Sequence, residues 1–252
     1  MEPYNNMKLH FSLDEGYGSK PAIGVVVLST DETIEPEFRQ IHTNPETSVF
    51  HSRIHFEPVV TPETLADMER ALPASLSLFS RHIEFSAIGY GCTSGATVIG
   101  AKKIAAIVQE FFPGVPVSDP ISAVIAACRA LRVSKLGLLT PYSLDVSATM
   151  QSLLEHNGLQ VSSFASFEET QDHRVARITE QSILDGILQM DNDDCDSIFV
   201  SCTSLRCFGI IDEAEKRLGK PVISSNSAFA WHLHKLAGST QPVQGPGTLF
   251  RM

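Results

Sequence analysis

The sequence predicts an α/β protein of two homologous halves, each a parallel sheet flanked by helices, facing each other across one cleft. Three observations predict it. Apolar runs of strand length alternate with helical patterns, three segments of the first half recur in the second, and the recurrence places a Cys-Thr-Ser triplet in each half.

The strand candidates are 22–28, 85–90, 135–139, 159–164, 196–200 and 221–223, short apolar runs of the kind a parallel strand buried on both faces requires. The helix candidates are 62–80, 96–111, 121–131, 144–157, 174–190, 208–218 and 227–236. Phe112-Pro113-Gly114, Asn157-Gly158 and Leu218-Gly219-Lys220-Pro221 end three of them with residues that cannot continue a helix.

The recurrence organises the chain. Ile23-Gly24-Val25-Val26-Val27-Leu28-Ser29-Thr30 answers to Leu136-Gly137-Leu138-Leu139-Thr140-Pro141-Tyr142, and Ile88-Gly89-Tyr90-Gly91-Cys92-Thr93-Ser94 to Ile198-Phe199-Val200-Ser201-Cys202-Thr203-Ser204. Pro116-Val117-Ser118-Asp119-Pro120 answers to Pro221-Val222-Ile223-Ser224-Ser225. The halves are expected at 22–120 and 121–224. An N-terminal extension, 1–21, precedes them; a helix in 225–238 returns to the first half, and 239–252 is a flexible tail, mobile or packed on a neighbouring subunit of a homo-oligomer.

Composition limits the partners. At 252 residues and 43% hydrophobic content the chain can bury a full core, and its net charge of −10 argues against nucleic acid or an anionic membrane. A small molecule is the expected ligand. No run approaches the roughly 20 apolar residues of a membrane span, the first residues lack the apolar stretch of an export signal, and the protein is expected in the cytoplasm. Five cysteines without Cys-x-x-Cys spacing should be free thiols, and no glycine-rich phosphate loop or metal-ligand pattern is present, so no cofactor and no metal are expected.

Ligands of parallel α/β sheets bind at the carboxyl ends of the strands, where Cys92 and Cys202 fall. The residues after them, Thr93-Ser94-Gly95 and Thr203-Ser204-Leu205, are expected to open helices whose N–H groups hold a carboxylate and lower the thiol pKa. One cysteine after a buried strand is commonly a small core residue; two in the same triplet at equivalent positions point to chemistry. Cys128 lies on an apolar helix face, Cys195 in an acidic turn, and Cys207 has no counterpart in the first half. His51 and His55 alternate around Arg53 as on a wet strand face, and Arg53 could reach a carboxylate. Trp231, His232 and His234 read as packing or subunit-contact residues.

These residues carry a resemblance. The segments 28–37, Tyr90-Gly91-Cys92-Thr93-Ser94-Gly95, Pro141-Tyr142, Ser201-Cys202-Thr203-Ser204-Leu205-Arg206 and Lys220-Pro221-Val222-Ile223-Ser224-Ser225-Asn226 resemble the aspartate/glutamate racemase superfamily, in the branch of maleate isomerase and arylmalonate decarboxylase. The ectoine-utilisation type is most similar, and the resemblance runs from Gly24 to Gly238. It implies two pseudo-symmetric Rossmann-like halves with the active site in the cleft between them, a substrate clamped there, and catalysis by Cys92 and Cys202 without a cofactor. The arylmalonate decarboxylase pattern lacks the first cysteine, so decarboxylation is disfavoured. Maleate isomerases carry asparagine where this chain has Asp31, a carboxylate that would repel a second carboxylate and attract an ammonium group.

The expected function is a cofactor-independent racemase or isomerase of a small amino-acid-type carboxylate, in which one thiolate removes the α-proton and the opposite thiol returns one. Asp31 would hold the substrate nitrogen or help deprotonate Cys92. Thr93, Ser94, Thr203 and Ser204 would hold the carboxylate with Tyr142 donating, and Ser29, Ser224, Ser225 and Asn226 would line the rim or cap helices. The alternatives are cis-trans isomerisation of maleate by thiolate addition, and a non-catalytic carboxylate-binding protein.

Overall fold

Seven uninterrupted apolar residues, Ala22–Leu28, are all buried and form β1, the inner strand of a parallel sheet. The computed structural model describes residues 7–19, 21–41, 47–57, 61–239 and 243–252. Parts of the expected N-terminal extension (1–6 and 20) and of the tail (240–242) lie outside the described residues. In chain order β1 is followed by α1 (Ile34–Ile41), β2 (Ser48–Ile54), α2 (Pro62–Leu76), β3 (Phe85–Gly91), α3 (Thr93–Ile99), α4 (Ala101–Phe111), β4 (Val117–Ser118) and α5 (Pro120–Leu131). The second series is β5 (Lys135–Thr140), α6 (Leu144–His156), β6 (Gln160–Ser166), α7 (Asp172–Val175), α8 (Glu180–Met190), β7 (Ser197–Val200), α9 (Ile211–Leu218), β8 (Val222–Ser224) and α10 (Ser225–Leu236).

The two sheets have the same order, β2-β1-β3-β4 and β6-β5-β7-β8, and every pairing is parallel. In each, the chain reverses its direction of growth between the first and third strands, and a crevice opens there at the carboxyl ends. Cys92 follows β3 beside the end of β1, and Cys202 follows β7 beside the end of β5.

Several elements differ from the sequence expectation, each for a physical reason. β2 and β4 were not among the strand candidates: β2 is an edge strand with His51 and Arg53 facing solvent, and β4 has two residues, so neither shows a continuous apolar run. The helix expected at 96–111 is two helices, divided at Gly100, whose φ of 88° only glycine adopts cheaply. The short α1 was not anticipated, the helix expected at 174–190 is two helices, α7 and α8, parted at 176–179, and α9 starts three residues later than expected. The tail is not loose where described: Thr248–Arg251 forms a 3₁₀ turn on α9, with Thr248 N and Arg251 Nη2 each donating to Glu215 Oε2 at 2.8 Å and Leu249 buried.

α10 leaves the second sheet and packs on β3, β4 and α5. Its Phe229 ring lies where a side chain on Gly89 would be, 2.4 Å from a Cβ placed there, so the close approach requires glycine. His232 Nδ1 and Ser118 Oγ are 2.8 Å apart on the same face. No helix among the described residues is long and apolar enough to cross a membrane.

Gly89→Ala should lower stability by about 1–3 kcal/mol through overpacking, read as a reduced urea midpoint at unchanged slope.

Candidate active site

β3 ends at Gly91, and the next residue, Cys92, caps α3: its φ of −145° is extended, and its Sγ accepts from Gly95 N at 3.2 Å. Gly95 is needed there, because a Cβ would stand 2.5 Å from Tyr90 Oη and 3.0 Å from Cys92 Sγ. Ser94 Oγ lies 3.7 Å from the same sulfur. The expectation of a helix opening on the triplet holds in this half.

It fails in the other. Thr203-Ser204-Leu205 forms a turn, and the next helix, α9, starts only at Ile211. Cys202 has a φ of 138°, a strained conformation for a residue with a Cβ. Its sulfur accepts from Ser204 N at 3.4 Å. Its own N–H donates to Ser225 Oγ at 3.0 Å, and the Thr93 hydroxyl donates to that same oxygen at 2.9 Å. Ser225, at the start of α10, thereby joins the two triplets.

The two thiols lie within each other's electrostatic reach, and Tyr142, following β5, neighbours Cys202 and Ser94. Cys92 and Cys202 are only 3% and 5% exposed. Burial pushes the Cys92 thiol up to about 12 against the hydrogen bonds from Gly95 and Ser94, and Asp172 and Asp31 push it further in the same direction. Burial raises Cys202 as well, reinforced by Asp172. A lowered thiol pKa, expected from helix N-termini, is therefore not observed: loss of water and two nearby carboxyls outweigh a few N–H groups.

Asp31 Oδ1 accepts from Thr33 N at 2.7 Å and Ile34 N at 2.8 Å, capping α1. Its Oδ2 is buried without a hydrogen-bond partner among the described residues, and the Thr203 side chain nearby favours its charged form. Burial raises its pKa to about 6 against those N–H groups. Arg53 is not available to a substrate: Nη1 donates to Leu28 O at 2.7 Å and Asp31 O at 2.8 Å, and Nη2 pairs with Glu35. It holds the turn that carries Asp31.

The structure brings Asp31, Cys92, Thr93, Ser94, Tyr142, Cys202, Thr203 and Ser204 into one buried cluster at the seam. Ser29 is not in it: that residue is exposed, and its Oγ accepts from Phe56 N at 3.2 Å. Asn226 sits behind the cluster rather than on its rim. Its Nδ2 donates to Glu37 Oε2 at 2.7 Å and Thr203 O at 2.8 Å.

Two carboxyls were missed. Asp172, at the start of α7, accepts from Thr30 Oγ1 at 2.6 Å and Ser204 Oγ at 3.0 Å, and so touches both halves. Only its place after a strand next to β5 could have pointed to it. Glu37 lies inside a segment that carried the family resemblance but had been assigned no role. Burial raises its pKa to about 7 against hydrogen bonds from Phe208 N, Asn226 and Cys207 N. The largest influences on the two thiols include two carboxyls and no cation. Such a site can move protons between two sulfurs across a small molecule, or add a sulfur to it.

The sequence pattern of the family described as arylmalonate decarboxylase matches residues 100–250. A maleate isomerase of Nocardia farcinica (strain IFM 10152) is 26% identical over 240 residues, 91% of this chain and 95% of that protein. The arylmalonate decarboxylase of Bordetella bronchiseptica is 32% identical over 140 residues, 54% of this chain and 58% of the relative. Among solved structures, the Nocardia farcinica maleate cis-trans isomerase, a cysteine-to-serine mutant with a covalently bound succinylcysteine intermediate, matches with a TM-score of 0.81 at 23% identity. That match covers 92% of this chain and 98% of the other, and shows the same two-sheet fold.

Asp31 and Glu37 have folded pKa values of about 6 and 7, above their ordinary 3.8 and 4.5, so the folded state binds more protons than the unfolded one between those limits. Their contribution is full below about pH 4 and lost as pH rises through 6 to 7. Unfolding free energy should fall from pH 5 to pH 8 by about 1–2 kcal/mol through Asp31 and about 2–3 kcal/mol through Glu37, and Asp31→Asn should flatten the urea-midpoint profile.

Proposed function

The chain belongs to the arylmalonate decarboxylase family, and from that premise we propose that it is a cofactor-independent racemase or isomerase of a small amino-acid-type carboxylate. Cys92 and Cys202 are its proton-transfer groups. The observation that carries this reading is the pair of neutral, buried thiols from different halves, flanked by the carboxyls of Asp31 and Asp172 with no cation among their main influences.

Charge selects the substrate class. With a pKa of about 12, forming the Cys92 thiolate at pH 7 costs about 7 kcal/mol. An α-ammonium group drawn to Asp31 and Asp172 places a positive charge beside both sulfurs and offsets that cost. A dianion does the opposite, raising both thiols further.

In the proposed step one thiolate takes the α-proton while the thiol across the seam gives its proton to the opposite face of the carbon. The net change is inversion, with one sulfur gaining the proton the other has lost. Tyr142 steadies the Cys202 sulfur and Ser94, and hydrogen-bond donors near the triplets face the charge that develops on the carboxylate. Decarboxylation needs only one thiol for reprotonation, and this chain has both.

A second reading is favoured by similarity: the 26% identical Nocardia relative is a maleate isomerase. There a thiolate would add to one alkene carbon, the central bond would rotate, and elimination would return the thiolate and the trans acid. The covalent succinylcysteine found in the solved Nocardia enzyme supports that chemistry for that enzyme.

Incubation in deuterium oxide with amino acids and N-acetylated diamino acids should wash deuterium into the α-carbon, read by mass spectrometry. Cys92→Ser and Cys202→Ser should each lower racemisation by at least 100-fold with little change in thermal stability. Full activity in either variant rules out two-thiol transfer, and loss of maleate absorbance without α-exchange selects the second reading. Replacing Asp31 and Asp172 together by asparagine should raise KM for an amino-acid substrate tenfold or more and improve binding of a dicarboxylate.

A further inference from the structure

The two triplets match in sequence but are held by different means. In the first half, α3 follows Cys92 directly, and the helix closes on itself: Ala96 N donates to Cys92 O at 2.9 Å and Gly95 N to the sulfur at 3.2 Å. In the second half no helix follows, and the chain from Thr203 to Phe208 must find acceptors and donors elsewhere.

It finds them on the opposite half. Glu37, buried on α1, accepts from Cys207 N at 2.7 Å and Phe208 N at 3.0 Å through Oε1, while Oε2 takes Asn226 Nδ2 at 2.7 Å. The second hydrogen of that amide binds Thr203 O at 2.8 Å. Thr33, one turn earlier, donates from Oγ1 to Ser204 O at 2.9 Å. Four residues of the turn after Cys202 are thus fixed from α1 and the residue before it, two directly by the carboxyl, one through Asn226 and one by Thr33.

We propose that Glu37 is a positioning residue: from the first half it sets the 203–208 turn of the second, and with it the direction of the Cys202 sulfur toward the reacting carbon. The assignment rests on the two-thiol reading for its catalytic consequence, but not for its structural one. Cys202 at a φ of 138° needs such support, because a strained residue holds its conformation only where its surroundings over-determine it. A buried carboxyl is also a poor purely structural choice, since packed apolar side chains commonly serve stability as well or better. The pKa of about 7 agrees, showing how strongly burial works against the charge that these hydrogen bonds favour.

Glu37→Gln keeps the shape and one acceptor but turns an amide N–H toward the Asn226 amide, donor against donor. In the full chain it should lower kcat at least tenfold with KM within about threefold, shift the melting temperature little, and remove an ionisation near pH 7 from the pH-rate profile. Independently of activity, amide hydrogen exchange at Cys207 and Phe208 should speed up at least tenfold. Alkylation of Cys202 by iodoacetamide, followed by peptide mass spectrometry, should rise against Cys128 as the buried reference. Unchanged kcat, or unchanged exchange and alkylation at the turn, overturns the proposal. Should Glu37→Gln fail to fold, Asn226→Ala removes the side-chain link while keeping the carboxyl, and is held to the same criteria with a rise of at least threefold at Thr203 to Ser204. Wild-type protein that washes no deuterium into any substrate overturns the racemase reading alone, while exchange and alkylation still decide the role of Glu37.

Discussion

α10 begins at the carboxyl edge of the second sheet and ends over the first, and the ring of Phe229 seated over Gly89 determines where its N-terminus stands. From that N-terminus Ser225 takes hydrogen bonds from Thr93 of one triplet and Cys202 of the other. Asn226, the next residue, reaches Thr203 and Glu37. The seam between the halves is therefore a hydrogen-bonded surface centred on one helix end. A shift of α10 on β3 would move the acceptor shared by both triplets.

Burial and charge oppose each other at this seam. Removing water from the thiols makes them poor acids, and Asp31 and Asp172 add to the effect. The same low-dielectric setting makes any positive charge brought beside them unusually effective. In the proposed function such a site stays quiet with neutral thiols and turns reactive when the ligand supplies the missing cation. Arg53, a cation that reaches the Asp31 turn from β2, is turned to backbone carbonyls and Glu35 instead of the sulfurs.

Much of the fold could be read from periodicity and repetition. Buried strands such as β1, β3, β5 and β7 are continuous apolar runs, and both cysteines follow from one internal duplication. β2 could not be read this way because an edge strand alternates polar with apolar residues, and β4 is too short to carry a pattern. Duplication also misled at one point: Thr203-Ser204-Leu205 copies the form of its partner without the helix, and Glu37 and Thr33 of the first half supply acceptors and donors to its turn.

The sequence by itself determined the fold class, the pair of halves, and the placement of Cys92 and Cys202 at strand ends, since these depend on local periodicity and on copying within the chain. The tertiary structure alone decided that Asp172 stands by both thiols, that Asn226 and Arg53 serve the framework, that Ser29 stays outside, and that the thiols are neutral. Those properties come from burial and from groups brought together from distant parts of the chain, which spacing along a sequence does not encode.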